Sequence, residues 1–168
     1  MSLAKKYPRE VKQILAKYPP EHKRSAVMPL LYLAQREEGY ITKDAMQDIA
    51  DQLEMSVTDV GSVVGFYTLY HDKKEGRYRL QVCTDLPCAL RGAEAFLDLL
   101  CTRLGIQAGE TTLDKLVTLE KVNCLAACNR APMFQLQSND GLKYYEEMTV
   151  EKTMELVESL RQVGNEAV

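Results

Sequence analysis

The sequence predicts an α+β protein in which a bundle of helices precedes a region of mixed strands and helices. Up to residue 70, apolar residues recur at the three- and four-residue spacing of amphipathic helices. From residue 78 onward, alternating and helical stretches follow in the order strand, helix, strand, strand, strand, helix. The polar segment 71–77 separates the two patterns. We therefore predict a helical bundle over 1–72 and a second domain over 73–168.

Prolines and a glycine mark the helices of the first half. Pro19 and Pro20 end one amphipathic helix and open the next, because proline fits the first turn of a helix but not its interior. Pro29 lies inside the following apolar pattern, so we expect it either to kink that helix or to begin another one. Gly39 is expected to end this segment.

Two further helices of the first half begin at predicted N-caps, Thr42 and Ser56, the second with Asp59 at the capping-box position. Joined by a short turn, they resemble a helix-turn-helix and raise the question of DNA binding. The second helix, over 56–70, has no Lys or Arg and would meet phosphates with the wrong charge. We therefore expect both helices to pack within the bundle. The apolar stripe of the second helix comprises Val57, Val60, Val64 and Tyr67.

The second half opens with a strand in which Tyr78, Leu80 and Val82 alternate with polar residues and which runs into Cys83. Turn and capping residues delimit the elements that follow. These are a helix after Cys88 ended by Gly105, strands at 117–122 and around 134–137, a hairpin turn at 139–141, a strand at 142–145, and a helix capped by Thr149 and ended by Gly164.

Four cysteines in two separated pairs are the candidate metal ligands. Cys83 and Cys88 form C-x4-C, Cys124 and Cys128 form C-x3-C, and thirty-five residues separate the pairs. This pattern favours a [2Fe–2S] cluster, since each of its two irons needs two thiolates. A structural zinc site, two disulfides or unrelated buried thiols are the alternatives. Zinc sites favour C-x2-C pairs, and a cytosolic chain keeps its thiols reduced.

The predicted topology brings the two cysteine pairs together. A strand–helix–strand crossover makes its two strands parallel, and each pair follows one of these strands. Because the carboxyl ends of parallel strands meet at one edge of a sheet, the pairs can converge there. Asp85 is expected to cap the helix that starts near Cys88, with Pro87 in its first turn. We expect free N–H groups of that turn to point at the cluster sulfurs.

The fifth cysteine and both histidines are expected to be non-ligands. Cys101 has helical spacing from Leu97, which indicates a buried position in the core. His22 and His71 are distant from the cysteines in sequence and are expected on the solvated surface, which argues against a Rieske centre. Four tyrosines are expected either inside the protein or on a docking surface: Tyr67, Tyr70, Tyr144 and Tyr145.

Composition and charge exclude several classes of function. With 21 Lys and Arg against 24 Asp and Glu, the net charge is −3, so there is no chain-wide basic field for nucleic acid. No run approaches the roughly eighteen apolar residues that a membrane span needs. The N-terminus lacks an apolar signal core. We therefore expect a cytoplasmic protein without direct membrane insertion.

The cysteine motifs and parts of the helical half resemble a known family, the thioredoxin-like [2Fe–2S] subunit of respiratory complex I, which is the E subunit of the NADH–quinone oxidoreductase. The cysteine pairs are the specific part of the resemblance. The matching segments are 28–31, 35–41, 64–67, Cys83 with Cys88, and Cys124 with Cys128 followed by Ala131-Pro132. Ala126 departs from the family, which more often has glycine there, and places a side chain in a tight loop.

The resemblance implies a thioredoxin-like fold (β-α-β-β-β-α) for the second domain and one [2Fe–2S] cluster on Cys83, Cys88, Cys124 and Cys128. It implies an electron-transfer subunit without catalytic residues of its own. The partner subunit would bind FMN and NADH, which agrees with the absence of G-x-G-x-x-G from this sequence. Further peripheral-arm subunits would hold the chain near the inner membrane.

Other functions are compatible with the same motifs. An equivalent diaphorase subunit serves NAD-reducing hydrogenases and NAD-dependent formate dehydrogenases, with the same fold and cluster. A free-standing thioredoxin-like ferredoxin would lack the N-terminal helices, so residues 1–70 argue against it. A zinc-stapled interaction module is the non-redox alternative.

Overall fold

The computed structural model describes residues 2–165, with side chains to residue 162. The chain divides into two compact units, Met1–Lys74 and Glu75–Val168. Among the described residues, none of the helices combines the length and the apolar character that crossing a bilayer requires.

The first unit is a helical bundle, as predicted. Its elements are α1 (Leu3–Lys6), α2 (Pro8–Leu15), a 3₁₀ helix (Pro20–Ala26), α3 (Val27–Glu38), α4 (Lys43–Leu53) and α5 (Val57–Phe66). Their apolar faces meet in one core, whose largest fully buried side chains are Leu30, Leu31, Ile41, Ile49, Leu53 and Val60. Burial of these side chains stabilises the bundle by about 1.5–3 kcal/mol each before entropic costs.

The predicted signals set the helix ends of the bundle. Pro29 lies in the first turn of α3, which begins at Val27, where its missing N–H would have no intrahelical partner. Pro29 thus belongs to the start of a new helix rather than to a kink. Gly39 ends α3 with a φ of 77°. Thr42 and Ser56 accept hydrogen bonds from backbone N–H groups three residues later, at 3.1 and 3.0 Å, so both predicted N-caps are confirmed.

The predicted apolar stripe of α5 is only half correct. Val60 and Val64 are buried in the bundle core. Val57, in the first turn of α5, is 38% exposed, and Tyr67 is also exposed. The physical reason for Tyr67 is that α5 ends at Phe66, so Tyr67 no longer follows helical spacing.

The second unit is built on a four-stranded sheet of order β2-β1-β3-β4. Its strands are β1 (Tyr78–Cys83), β2 (Val117–Val122), β3 (Phe134–Ser138) and β4 (Gly141–Tyr145). β1 pairs parallel with β2 and antiparallel with β3, and β3 and β4 form the predicted hairpin. The parallel β1–β2 pair is the one that the strand–helix–strand pattern predicted.

The helices of the second unit are α6 (Leu86–Ala89), α7 (Ala93–Leu104) and α8 (Val150–Asn165), with a short 3₁₀ turn at Cys128–Arg130. The helix predicted after Cys88 is therefore divided, because Gly92 has a φ of 88° before α7 begins. Gly105 ends α7 as predicted, and the Thr149 hydroxyl accepts from the Lys152 N–H at 3.3 Å at the start of α8. The prediction that Gly164 ends α8 is wrong, since the helix runs to Asn165. A single glycine inside a helix costs only about 1 kcal/mol.

The apolar core of the second unit lies between the sheet and two helices. Leu80, Val82 and Phe134 from the strands pack with Leu100 of α7 and Val157 of α8. The alternation along β1 correctly predicts this apolar face. It does not predict that the polar residues between them are buried as well, with Arg79 and Gln81 only 5% and 3% exposed. All six residues of β1 are buried, so both faces of this central strand are covered.

Candidate metal centre

The four candidate ligands lie where β1 and β2 end. Cys83 is the last residue of β1, and Cys88 follows in α6. Cys124 comes two residues after the end of β2, and Cys128 begins the 3₁₀ turn at Cys128–Arg130. In the parallel β1–β2 pair, Cys83 is opposite Val122, so both cysteine-bearing loops leave the same edge of the sheet. The backbone therefore positions the loops as predicted.

Three of the four thiols meet in one buried cluster. Cys88 packs with Cys83 in this cluster, and Cys128 packs against it. Cys83 and Cys88 are fully buried, and Cys128 is partly buried. Burial first, and then the neighbouring thiols of Cys83 and Cys128, raise the pKa of Cys88 to about 12. A thiolate at this position therefore requires a compensating positive charge.

Cys124 is the exposed member of the set. Its Sγ accepts a hydrogen bond from the backbone N–H of Ala126 at 3.4 Å. Among residues with described side chains, no group of three or more His, Cys, Asp and Glu is placed to hold a single metal ion. The structure thus brings together Cys83, Cys88 and Cys128 and leaves Cys124 exposed on the adjoining loop.

The loop between Cys124 and Cys128 contains a residue in a glycine-like conformation. Ala126 has a φ of 60°, in the left-handed region that costs a non-glycine residue about 1–2 kcal/mol. This explains physically why glycine suits this position. The same conformation turns the Ala126 N–H toward the Cys124 sulfur. Further along, the Ala131–Pro132 peptide bond is cis.

The start of α6 agrees with the sequence prediction in one respect and differs in another. Asp85 caps α6, its carboxylate accepting from the Leu86 N–H at 3.0 Å, and Pro87 lies in the first turn. However, the Cys88 N–H donates to the Asp85 carbonyl oxygen at 2.8 Å. The expectation of free N–H groups there is therefore wrong for Leu86 and Cys88, because Asp85 already accepts from both. The Ala126 N–H, in contrast, donates to a cysteine sulfur, that of Cys124.

Two neighbours of the cysteines were not predicted. Met133 is fully buried against Cys83 and Cys88, and Ala131 packs in the same cluster. The Met133 carbonyl oxygen accepts from the Cys83 N–H at 3.4 Å, which ties the segment before β3 to the end of β1. The Ala131-Pro132 dipeptide was the only sequence signal for this contact. It carried no information about which residue would cover the thiols.

The remaining candidate residues lie outside this cluster. Cys101 packs against the sheet core from α7 as predicted, but it is half-buried and not fully buried. His22 is exposed as predicted, whereas His71, for which a solvated position was also predicted, is half-buried. The His71 N–H donates to the Gln35 side chain at 2.8 Å, and its carbonyl oxygen accepts from the Ile41 N–H at 2.7 Å. These bonds hold it against the bundle.

The four tyrosines separate into packed and exposed pairs. The Tyr70 hydroxyl donates to the Met28 carbonyl oxygen at 2.9 Å, and Tyr145 stacks on Phe134 with ring centroids 5.2 Å apart. Tyr67 and Tyr144 are exposed. Of the four tyrosines, Tyr70 and Tyr145 are therefore packed, and Tyr67 and Tyr144 lie on the surface.

Comparison with known proteins identifies the family. The sequence profile of the thioredoxin-like [2Fe-2S] ferredoxin family matches residues 11–161. The chain belongs to this family. The resemblance inferred from the cysteine motifs is confirmed, and so is the α+β fold with a thioredoxin-like second domain.

Curated members of the family resemble the chain over most of its length. The NADH-quinone oxidoreductase E subunit of Rickettsia conorii is 40% identical over 150 residues, which are 89% of this chain and 87% of the relative. The protein of the same name from Mycobacterium tuberculosis is 39% identical over 152 residues, 90% of this chain and 58% of the relative.

A solved structure shares the fold at lower sequence identity. An NAD+-reducing [NiFe]-hydrogenase in the H2-reduced state aligns with a TM-score of 0.66 and 16% identity, covering 79% of this chain and 22% of that chain. At this identity the likeness shows the fold alone.

Proposed function

We propose that this chain is the electron-transfer subunit of an NADH–quinone oxidoreductase, with one [2Fe–2S] cluster held by Cys83, Cys88, Cys124 and Cys128. The proposal rests on the packing of Cys83 and Cys88, from one sequence pair, with Cys128, from the other, in a member of this family. When bound, such a cluster takes up and returns one electron.

The chemistry of the donor set fits this cofactor. The raised pKa of Cys88 means that its thiolate is costly in the absence of a cation. Iron supplies the positive charge, and the thiols lose their protons on binding it. Cys124 completes the set from the loop that also carries Cys128, and the Ala126 N–H already donates to its sulfur. Buried Met133 keeps water away from Cys83 and Cys88.

The identity of about 40% with NADH-quinone oxidoreductase relatives over most of the chain supports complex I over a hydrogenase or formate dehydrogenase as the parent enzyme. Fold likeness to the hydrogenase does not separate these, because it rests on 16% identity. We further propose that the subunit is cytoplasmic and peripheral to the inner membrane, attached through other subunits of the complex.

The proposed partner is the subunit that binds FMN and NADH. An electron carrier without a nicotinamide motif needs a donor docked against it, and both units expose large apolar side chains that a docked subunit would cover. In the bundle these are Phe66, which is 78% exposed, and Leu69. In the second unit, Leu86 and Leu90 are 69% and 80% exposed at α6, the helix that carries Cys88.

Purification of the tagged chain from its native cells tests this proposal. We expect a flavoprotein with NADH dehydrogenase activity to co-purify, together with further subunits of the same enzyme. A Phe66→Ser, Leu69→Ser double variant should capture less of it, whereas Leu113→Ser, which removes a fully exposed leucine from the loop before β2, should capture as much as the wild type. Recovery of hydrogenase or formate dehydrogenase subunits instead would contradict the assignment to complex I.

A further inference from the structure

A buried polar row lies on the sheet face that carries Cys83. Along β1, Leu80 and Val82 face the apolar core, so Arg79, Gln81 and Cys83 share the opposite face. Arg79 and Gln81 are buried, and so is Gln135 opposite Gln81 on β3. Buried polar groups of this kind are costly unless they are hydrogen-bonded. Each of these side chains therefore needs a hydrogen-bonding partner.

One carboxylate connects this row. Glu120 of β2 accepts from Arg79 Nη1 at 2.7 Å through one oxygen and from Gln81 Nε2 at 2.8 Å through the other. Gln81 in turn accepts from Gln135 Nε2 at 2.6 Å. Arg79 also forms an ion pair with Glu75, just before β1. Glu120 is thus held in place by hydrogen bonds to both of its oxygens.

The register places this carboxylate close to a cluster ligand. Gln81 pairs with Glu120 across the parallel strands, and Cys83 pairs with Val122, one step further along the same face. Two residues along a strand span about 7 Å. Arg79 with Glu75 and Glu120 amounts to one positive and two negative side chains. A net negative charge is therefore fixed beside the row that ends at Cys83.

We propose that Glu120, positioned by Arg79 and Gln81, lowers the reduction potential of the cluster. This inference rests on the proposed function, since it requires the cluster at Cys83. Reduction adds one electron, supplied by the reduced flavin of the partner or by dithionite in vitro, and no bond to Glu120 changes. The added negative charge is repelled by the fixed carboxylate, so the oxidised state is favoured. Glu120 acts on the cluster through its charge alone and is not a ligand.

Redox titration of the full-length chain carrying its cluster tests this role, with the reduced cluster followed by EPR. Glu120→Gln keeps the shape and removes the charge, and should favour reduction about tenfold, a positive shift of about 59 mV. Glu120→Asp keeps the charge and alters the geometry, and should leave the midpoint potential near that of the wild type. Glu155→Gln removes the same charge from an exposed position on α8 and should also leave it unchanged. The Glu120 side chain is 21% exposed, and partly buried charges are screened less than exposed ones, so most of the Glu120→Gln shift should persist in high salt.

An unchanged potential in Glu120→Gln, or an equal shift in Glu120→Asp, would overturn the inference. If Glu120→Gln fails to fold because Arg79 has lost its ion pair with Glu120, Glu75→Gln is the test variant instead. Glu75 pairs with the same arginine at the opposite end of β1 from Cys83, so a smaller positive shift is expected, and no shift would refute the inference. A wild-type chain without any iron–sulfur signal would refute the proposed function as well, whereas a normal cluster with unaltered potentials would refute only this inference.

Discussion

Cys88 and Cys128, forty residues apart in the chain, pack into the same buried cluster. Cys88 belongs to the loop and helix after β1, and Cys128 to the loop after β2. The contact exists because the two strands are parallel neighbours and end at the same edge of the sheet. Assembly of the proposed cluster should therefore be coupled to folding of the second unit.

Removing a thiol from the buried cluster should abolish iron binding. Cys128→Ala takes away one contact of Cys88 and one of the four proposed ligands, so the variant should lose most of its iron and visible absorption. The matched control is Cys101→Ala, which removes a half-buried thiol that packs on the sheet core. Iron analysis and absorption spectra of both variants provide the measurement. Bleaching by Cys101→Ala with an intact cluster in Cys128→Ala would show that the ligands are assigned incorrectly.

Ala126→Gly should stabilise the loop between Cys124 and Cys128. Ala126 has a φ of 60°, and relief of this left-handed strain is offset in part by the greater entropy of glycine in the unfolded chain. We expect a gain of about 0.5–1 kcal/mol, seen as a higher melting temperature and slower iron loss to a chelator. Ala127→Gly is the control, since Ala127 has a φ of −120° and should only lose stability. A lower melting temperature for Ala126→Gly would contradict the strain argument.

Asp114 should make a pH-dependent contribution to stability. The hydrogen bond from Thr112 lowers the pKa of Asp114 below its ordinary value of 3.8, and the Leu116 N–H and Arg161 add to this effect while burial opposes it. A lowered folded-state pKa stabilises the protein above pH 3.8, and this stabilisation is lost as the pH falls through the folded value. Asp114→Asn should cost less than about 1 kcal/mol at pH 7, because the pair with Arg161 is half-exposed. Urea unfolding at decreasing pH should show that the difference in unfolding free energy between the wild type and Asp114→Asn becomes smaller. A difference that does not change with pH would contradict this prediction.

Limited proteolysis should cut the chain first at Lys73 or Lys74. Both side chains are exposed. The flanking segments are held by backbone hydrogen bonds, from His71 to the Gln35 side chain and from Gly76 to the Thr118 hydroxyl. Trypsin should therefore release two fragments that divide near the proposed boundary at residue 72. A Lys73→Gln, Lys74→Gln double variant should resist this cut, and first cleavage within 83–104 would contradict the proposed division.

Most of the correct predictions from the sequence rest on residues that are close to one another in the chain. The caps at Thr42 and Ser56 and the hairpin turn at 139–141 depend only on residues within a few positions of each other. The convergence of Cys83, Cys88 and Cys128 follows from one further rule, that a strand–helix–strand unit makes its strands parallel.

The features that sequence analysis missed depend on distant partners. Arg79 and Gln81 are buried because Glu120, some forty residues later, accepts from both, and no local pattern encodes that register. His71 is half-buried because Gln35 and Ile41 bind its backbone. The helix α8 continues through Gly164 because one glycine costs too little to end it.

Metal and sulfide analysis of the full-length chain, purified without oxygen, tests whether this chain holds a [2Fe–2S] cluster. We expect about two irons and two acid-labile sulfides per chain, visible absorption, and an EPR signal that appears on reduction. Stoichiometric zinc in a colourless protein without an EPR signal would contradict it.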